Sequence, residues 1–204
     1  MIHQSSVINL LAGELAFLPH SGDVVTTVLG SCVSVIFHVP GSVSMVSHAL
    51  LPSSKANNGQ CFDSCPSPCQ NRIPVNSENR YVTCSLKYMI GELKKRHIHP
   101  WQVQTSLIGG ANVLQCREQE EGVGYKNVAK AREILNHNGF VIQREHTGGN
   151  VGRNIRYISE SNTIMVKIHG QNKEFELLNK KDSQPDTPRE GLDKLMIEVQ
   201  KLNK

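Results

Sequence analysis

Along the first half of the chain, apolar residues gather in short runs that do not recur at helical spacing. VVTTV at 24–28, VSVIF at 33–37 and VSMVSHALL at 43–51 are rich in β-branched residues, and they are separated by Leu29, Gly30, Ser31 and Cys32 and by the turn at Pro40 and Gly41. Runs of this kind predict strands, read as neighbours in one buried sheet. The period changes between residues 79 and 97, where Val82, Leu86, Met89, Ile90 and Leu93 recur every three or four positions. Lys94, Lys95 and Arg96 follow, where a helix dipole favours cations, so a helix is expected. QVQTSLI at 102–108 reads as a strand running into Gly109 and Gly110. A second amphipathic helix is expected over 126–138, through Val128, Ala131, Ile134 and Leu135, with Gly139 as its C-terminal cap. Strands at 140–146, 154–159 and 163–168 complete an α/β or α+β domain over residues 1–178.

Two segments lose this order. Residues 53–78 (SSKANNGQCFDSCPSPCQNRIPVNSE) have no periodicity and read as a long surface loop. Its Cys61, Cys65 and Cys69 lack the paired CxxC knuckles of structural zinc sites, so no metal is expected there. Residues 179–204 read as a linker followed by a short amphipathic helix, with Leu192, Leu195, Met196, Val199 and Leu202 on one face.

At 204 residues, with 38% hydrophobic and 20% charged, the chain can bury one sizeable core. No stretch approaches the roughly 20 apolar residues of a membrane-spanning helix. The first Lys or Arg is Lys55, so no basic signal segment opens the chain, and a cytoplasmic protein without membrane insertion is expected. In that reducing compartment the six cysteines read as free thiols, metal ligands or a nucleophile. All 22 Lys and Arg lie beyond residue 54 and the net charge is +4, a mild attraction for acidic partners. Zinc-finger spacing, an RNA-binding aromatic signature and an arginine-rich block are all missing, so nucleic acid is not an expected partner.

The candidate chemistry lies in the first runs. Cys32 follows Gly30 and Ser31 at a sharp break, which gives a carbonyl room to approach and offers backbone N–H groups for an oxyanion. His48 is the candidate base on a neighbouring strand, and the hydroxyl of Thr26, six residues before the cysteine, is the candidate to orient it if the fold brings them together. The alternative is a buried thiol and a hydrogen-bonded core histidine with no chemistry between them.

The ordered set Ala12, Gly13, Glu14; Thr26; Leu29, Gly30, Ser31, Cys32, Val33; His48 with Leu51 and Pro52 resembles the CheD family of chemoreceptor glutamine deamidases. The likeness continues through Tyr81, Gly109-Gly110-Ala111, Gly122-x-Gly124-x-x-Asn127 and Thr147-Gly148-Gly149-Asn150 with Gly152 and Arg153. The resemblance implies a β-sandwich-like core flanked by helices, and a cofactor-free amidohydrolase that converts receptor glutamines to glutamates with release of ammonia. It implies Cys32 as nucleophile, His48 as acid/base and Thr26 as third member. Gly148, Gly149 and Asn150 are then expected to shape a turn beside the site, because Gly and Asn tolerate positive φ. Implied partners are the cytoplasmic helices of chemoreceptors and a CheC-type phosphatase. A non-catalytic adaptor binding either partner is the alternative function. The sequence departs from the family pattern at Ser44, Met45, Val46 and Ser47 before the histidine and at His38, Val39 and Pro40.

Overall fold

The computed structural model describes residues 6–19, 22–53, 78–113 and 122–179. The cysteine-bearing loop, apart from its first and last residues, and the tail helix lie outside the described residues, and so do Cys61, Cys65 and Cys69. The strands are β1 (Val7–Asn9), β2 (Leu15–Leu18), β3 (Val24–Leu29), β4 (Val33–His38), β5 (Ser44–Ser47), β6 (Gln104–Gly109), β7 (Ile142–Thr147), β8 (Arg153–Ile158), β9 (Thr163–Ile168) and β10 (Glu174–Glu176). The helices are α1 (Val82–Lys95) and α2 (Val123–His137).

Two five-stranded sheets form, in the orders β1-β3-β8-β9-β10 and β2-β5-β4-β6-β7. Strand parity builds the layers. In β4, Ile36 joins Val25, Leu29, Ile155, Tyr157, Ile164 and Val166 of the first sheet in an inter-sheet core. The opposite parity, Val33, Val35 and Phe37, packs with Leu86, Met89 and Leu93 of α1 and Ala131 and Leu135 of α2. The second sheet is therefore covered on both faces, which is why five of the six residues of β4 are buried. The outer face of the first sheet stays more open, and β8 alternates between buried and exposed along most of its length.

The fold class agrees with the reading of the sequence, but the strand neighbours do not. The runs at 24–28 and 33–37 are not adjacent in one sheet. β3 pairs with β1 and β8, whereas β4 pairs with β5 and β6. Residues 30–32 therefore cross from one sheet to the other, because each run buries its apolar face against the opposite sheet. The run at 43–51 also ends early, at Ser47, and pairing resumes only as isolated bridges, Ala49 with Val33 and Leu51 with Tyr81.

Helix α2 starts three residues before its expected first turn, and Gly124 permits this. A Cβ at Gly124 would stand 2.6 Å from the carbonyl oxygens of both Gly110 and Ala111. Glycine inside a helix costs about 1 kcal/mol relative to alanine. Here it lets α2 rest directly on the chain leaving β6, where Gly109 and Gly110 take φ of 111° and 68°.

Candidate active site

Cys32 and His48 share one face of the second sheet. The register that pairs Ile36 with Val46, and Val33 with Ala49 beyond, sets His48 across from Ser34. Cys32 lies two positions before Ser34, in the crossover ahead of β4, and continues the parity of Ser34 and Ile36. This face looks into the inter-sheet core, against which Cys32 packs. The ladder is interrupted here: Ser47 Oγ accepts the Val35 N–H at 3.1 Å and donates to the Val35 carbonyl at 3.3 Å. The backbone of His48 turns to the segment before β2, donating to Glu14 O at 3.0 Å and accepting from Gly13 N–H at 2.8 Å. The interruption leaves the imidazole pointing between the sheets.

The tautomer of His48 follows from its neighbour. Thr27 Oγ1 donates its single proton to the Leu10 carbonyl at 2.7 Å, and the same oxygen lies 2.7 Å from His48 Nδ1. An oxygen whose proton is committed can only accept, so Nδ1 carries the hydrogen and donates to Thr27. The lone pair is left on Nε2, which is buried and has no hydrogen-bond partner among the described residues. His48 is thus oriented through one nitrogen and free at the other.

The third member expected from the sequence, Thr26, is not the hydroxyl on His48. Successive residues of β3 face opposite ways, and Thr27, buried with Val25 and Leu29, is the threonine that reaches the imidazole. Thr26 lies on the other face, across from Arg156 of β8. Both parities of the run read as plausible inner faces, Val24-Thr26-Val28 and Val25-Thr27-Leu29, so the pattern alone did not choose.

Burial sets the resting charges. It raises the Cys32 thiol above the ordinary thiol value, against a smaller lowering by the backbone N–H of Cys32 itself. It lowers His48 below 6.5, with the Leu10 carbonyl and the Glu14 carboxylate pulling the other way. Both shifts favour the uncharged forms, a thiol at Cys32 and an imidazole at His48, and neither is the depressed thiol pKa that an ion pair would require.

The turn bearing Cys32 is held by its carbonyls. Gly30 O accepts from Ala111 N–H at 2.8 Å and Cys32 O accepts from Gly110 N–H at 2.7 Å. The N–H groups of Ser31 and Cys32 have no acceptor on another residue among the described residues. Gly148 and Gly149 both take φ of 77°, whereas Asn150 is not in the left-handed region, which corrects the expectation for that residue. The turn they form is joined to the end of β6 by Gly148 N–H on Gly109 O at 2.9 Å and Asn112 N–H on Gly149 O at 2.8 Å. Beneath it the buried Arg153 guanidinium donates to the carbonyls of His146 and Gly148 and to His146 Nδ1. A cleft of about 230 Å³ opens beside this turn, lined among others by Gly110, Asn112, Tyr125, Arg132 and Asn150. Among the described residues no group of three His, Cys, Asp or Glu side chains is arranged to hold a metal ion.

Comparison with known proteins finds both a matching family and similar chains. The sequence model of the family described as CheD chemotactic sensory transduction matches residues 66–168. The chain is 33% identical over 161 residues to a probable chemoreceptor glutamine deamidase CheD 2 of Geobacter sulfurreducens, covering 78% of this chain and 88% of that protein. It is 32% identical over 150 residues to a probable chemoreceptor glutamine deamidase CheD of Oleidesulfovibrio alaskensis, covering 71% of this chain and 64% of that protein. A chemoreceptor glutamine deamidase CheD of Thermotoga maritima is 26% identical over 166 residues, covering 81% and 94%.

Proposed function

The chain belongs to the CheD family, and from that premise we propose that it deamidates glutamine side chains of chemoreceptors through a Cys32 thioester. The observation that carries this reading is the imidazole of His48, fixed by Thr27 at Nδ1 and free at Nε2 on the face it shares with Cys32.

The chemistry follows from the resting protonation. As the sulfur adds to the carboxamide carbon, the thiol proton passes to His48 Nε2, so no standing thiolate is needed. The charge developing on the carboxamide oxygen is met by the N–H groups of Ser31 and Cys32, which have no acceptor on another residue among the described residues, donors of a kind worth roughly 3 to 4 kcal/mol each in such transition states. The imidazolium returns its proton to the departing nitrogen, ammonia leaves, and an acyl-thioester remains. His48 Nε2 then takes a proton from water, the hydroxide adds to the thioester, and collapse restores the thiol and leaves a glutamate side chain. Throughout, Thr27 accepts from Nδ1 and stabilises the imidazolium as it forms.

The substrate is a receptor cytoplasmic helix presenting a glutamine, which places the work in the cytoplasm. A CheC-type phosphatase is the second partner in this reading. Among the described residues no helix is long and apolar enough to cross a membrane. Incubation with a receptor cytoplasmic fragment should release ammonia in proportion to the fragment. Binding of the fragment without any ammonia would replace the enzyme by the adaptor reading.

A further inference from the structure

We propose that Asn127 is a positioning residue that ties the segment carrying Cys32 to the segment carrying His48 and so sets how the thiol and imidazole face each other. The proposal rests on the Cys32–His48 reading above. Asn127 lies on the buried face of α2 and is 0% exposed. Its Nδ2 donates to Ser31 O at 2.9 Å and to Leu50 O at 2.8 Å. Ser31 immediately precedes the nucleophile, and Leu50 follows the base by two residues. The amide orientation is fixed by chemistry, since only the NH2 end can face two carbonyl oxygens.

The clamp adds to the backbone tie between these segments, the doubly hydrogen-bonded bridge of Val33 with Ala49, on the side where pairing ends. The β4–β5 ladder runs from His38 with Ser44 to Ile36 with Val46, gives way to the Ser47 hydroxyl, and ends in the bridge of Val33 with Ala49. Beyond that bridge the two segments part, with Leu50 N–H going to Arg80 O at 2.7 Å and Cys32 O taken by Gly110. Beyond the bridge the Asn127 amide touches both segments, at Ser31 O and Leu50 O. Its Oδ1 is buried without a partner among the described residues, a cost that an apolar residue filling the same space would avoid. Close seating of α2 through Gly124, one turn earlier, brings the amide within reach.

Alkylation of Cys32 by iodoacetamide, followed on the Cys32 peptide by mass spectrometry, tests this without relying on turnover. Rates are compared among the wild type, His48→Ala, Asn127→Ala and the double variant. His48→Ala should change the rate and its pH profile in the wild-type background and change them far less in the Asn127→Ala background. On a receptor fragment, Asn127→Ala should lower kcat about 10- to 100-fold with KM held within about twofold, because geometry is lost and no substrate contact is. Should Asn127→Ala fail to fold, Asn127→Ser, which keeps one donor, must show a partial loss of the same coupling. Equal coupling in both backgrounds, or a lowered Tm with kcat retained, would overturn the proposal. Absence of turnover by the wild type would end the deamidase reading and leave the alkylation cycle as the test of Asn127. A Cys32 rate indifferent to His48 in the wild type would end both.

Discussion

His38 and His48 stand at opposite ends of the same strand pair, about 13 Å apart along β4 at roughly 3.3 Å per residue. Both are more than half-shielded and pushed below the usual histidine range by burial, and each has a hydroxyl on Nδ1. What differs is the lone pair. Tyr157 donates to Ser44 Oγ at 2.8 Å, and the Ser44 proton then has His38 Nδ1, at 3.0 Å, as its acceptor. His38 therefore spends its basic nitrogen inside a hydrogen-bonded network, with the Arg144 charge disfavouring protonation further. At His48 the hydroxyl accepts instead, and the basic nitrogen is buried without a partner among the described residues. The larger cleft, about 510 Å³, is at the His38 end, so cleft size alone would point away from the chemistry. The direction of one hydroxyl proton separates a histidine whose basic nitrogen is spent from the one proposed as the base.

Substitutions should break this comparison most sharply. His48→Ala should cost about 10²- to 10⁴-fold in turnover, the usual contribution of a positioned acid/base group. Combined with Cys32→Ala it should be little worse than Cys32→Ala alone, since residues acting as a unit are strongly non-additive. His38→Gln should leave turnover within about twofold and act on stability instead. Equal losses at the two histidines would erase the distinction.

The two threonines give a smaller but more pointed contrast. Thr27→Val should lower kcat about tenfold or more while Thr26→Val stays near wild type, and Thr27→Ser should recover most of the loss, because a hydroxyl that fixes a tautomer acts through geometry. The reverse ranking, measured on the same receptor fragment, would put the third member back at Thr26.

Acidity sharpens the comparison through charge. With the base resting neutral, the acidic limb of kcat/KM should lie below 6.5, and an acidic limb above 7 would contradict a neutral resting imidazole. Burial lowers His38, His48 and His146 alike from 6.5. Between the lowered folded values and 6.5 the unfolded chain binds more protons, so stability rises with pH through that window and is lost as pH falls through the folded values. Thermal melts should show Tm dropping on acidification below about 6.5, with a shallower slope in His38→Gln than in wild type. The mildest expected effect is Tyr157→Phe. Burial pushes that phenol up to about 12, and losing its bond to Ser44 should cost on the order of 1 kcal/mol without altering turnover.

The central runs of this fold were legible because β4, α1 and α2 carry strong apolar periodicity. β1, β2 and β10 were not, as strands of three or four residues exist by pairing with β3, β5 and β9 and announce little locally. That 24–28 and 33–37 fall in different sheets was also hidden, since a buried run does not say whether its neighbour is beside it or across the core. Cys32 and His48 stood out as a thiol and an imidazole in apolar surroundings. Thr27 did not, because the choice between two adjacent threonines is a choice of strand face made by tertiary packing. Asn127 appeared only as part of a spacing, since its partners are backbone carbonyls that no sequence pattern marks.

Intact-mass analysis of a chemoreceptor cytoplasmic fragment tests the central claim most directly. With the wild-type protein the account predicts a gain of about 1 Da per modified glutamine, as hydrolysis of a thioester to a carboxylic acid requires, and no gain with Cys32→Ala. An undiminished gain with Cys32→Ala would contradict it.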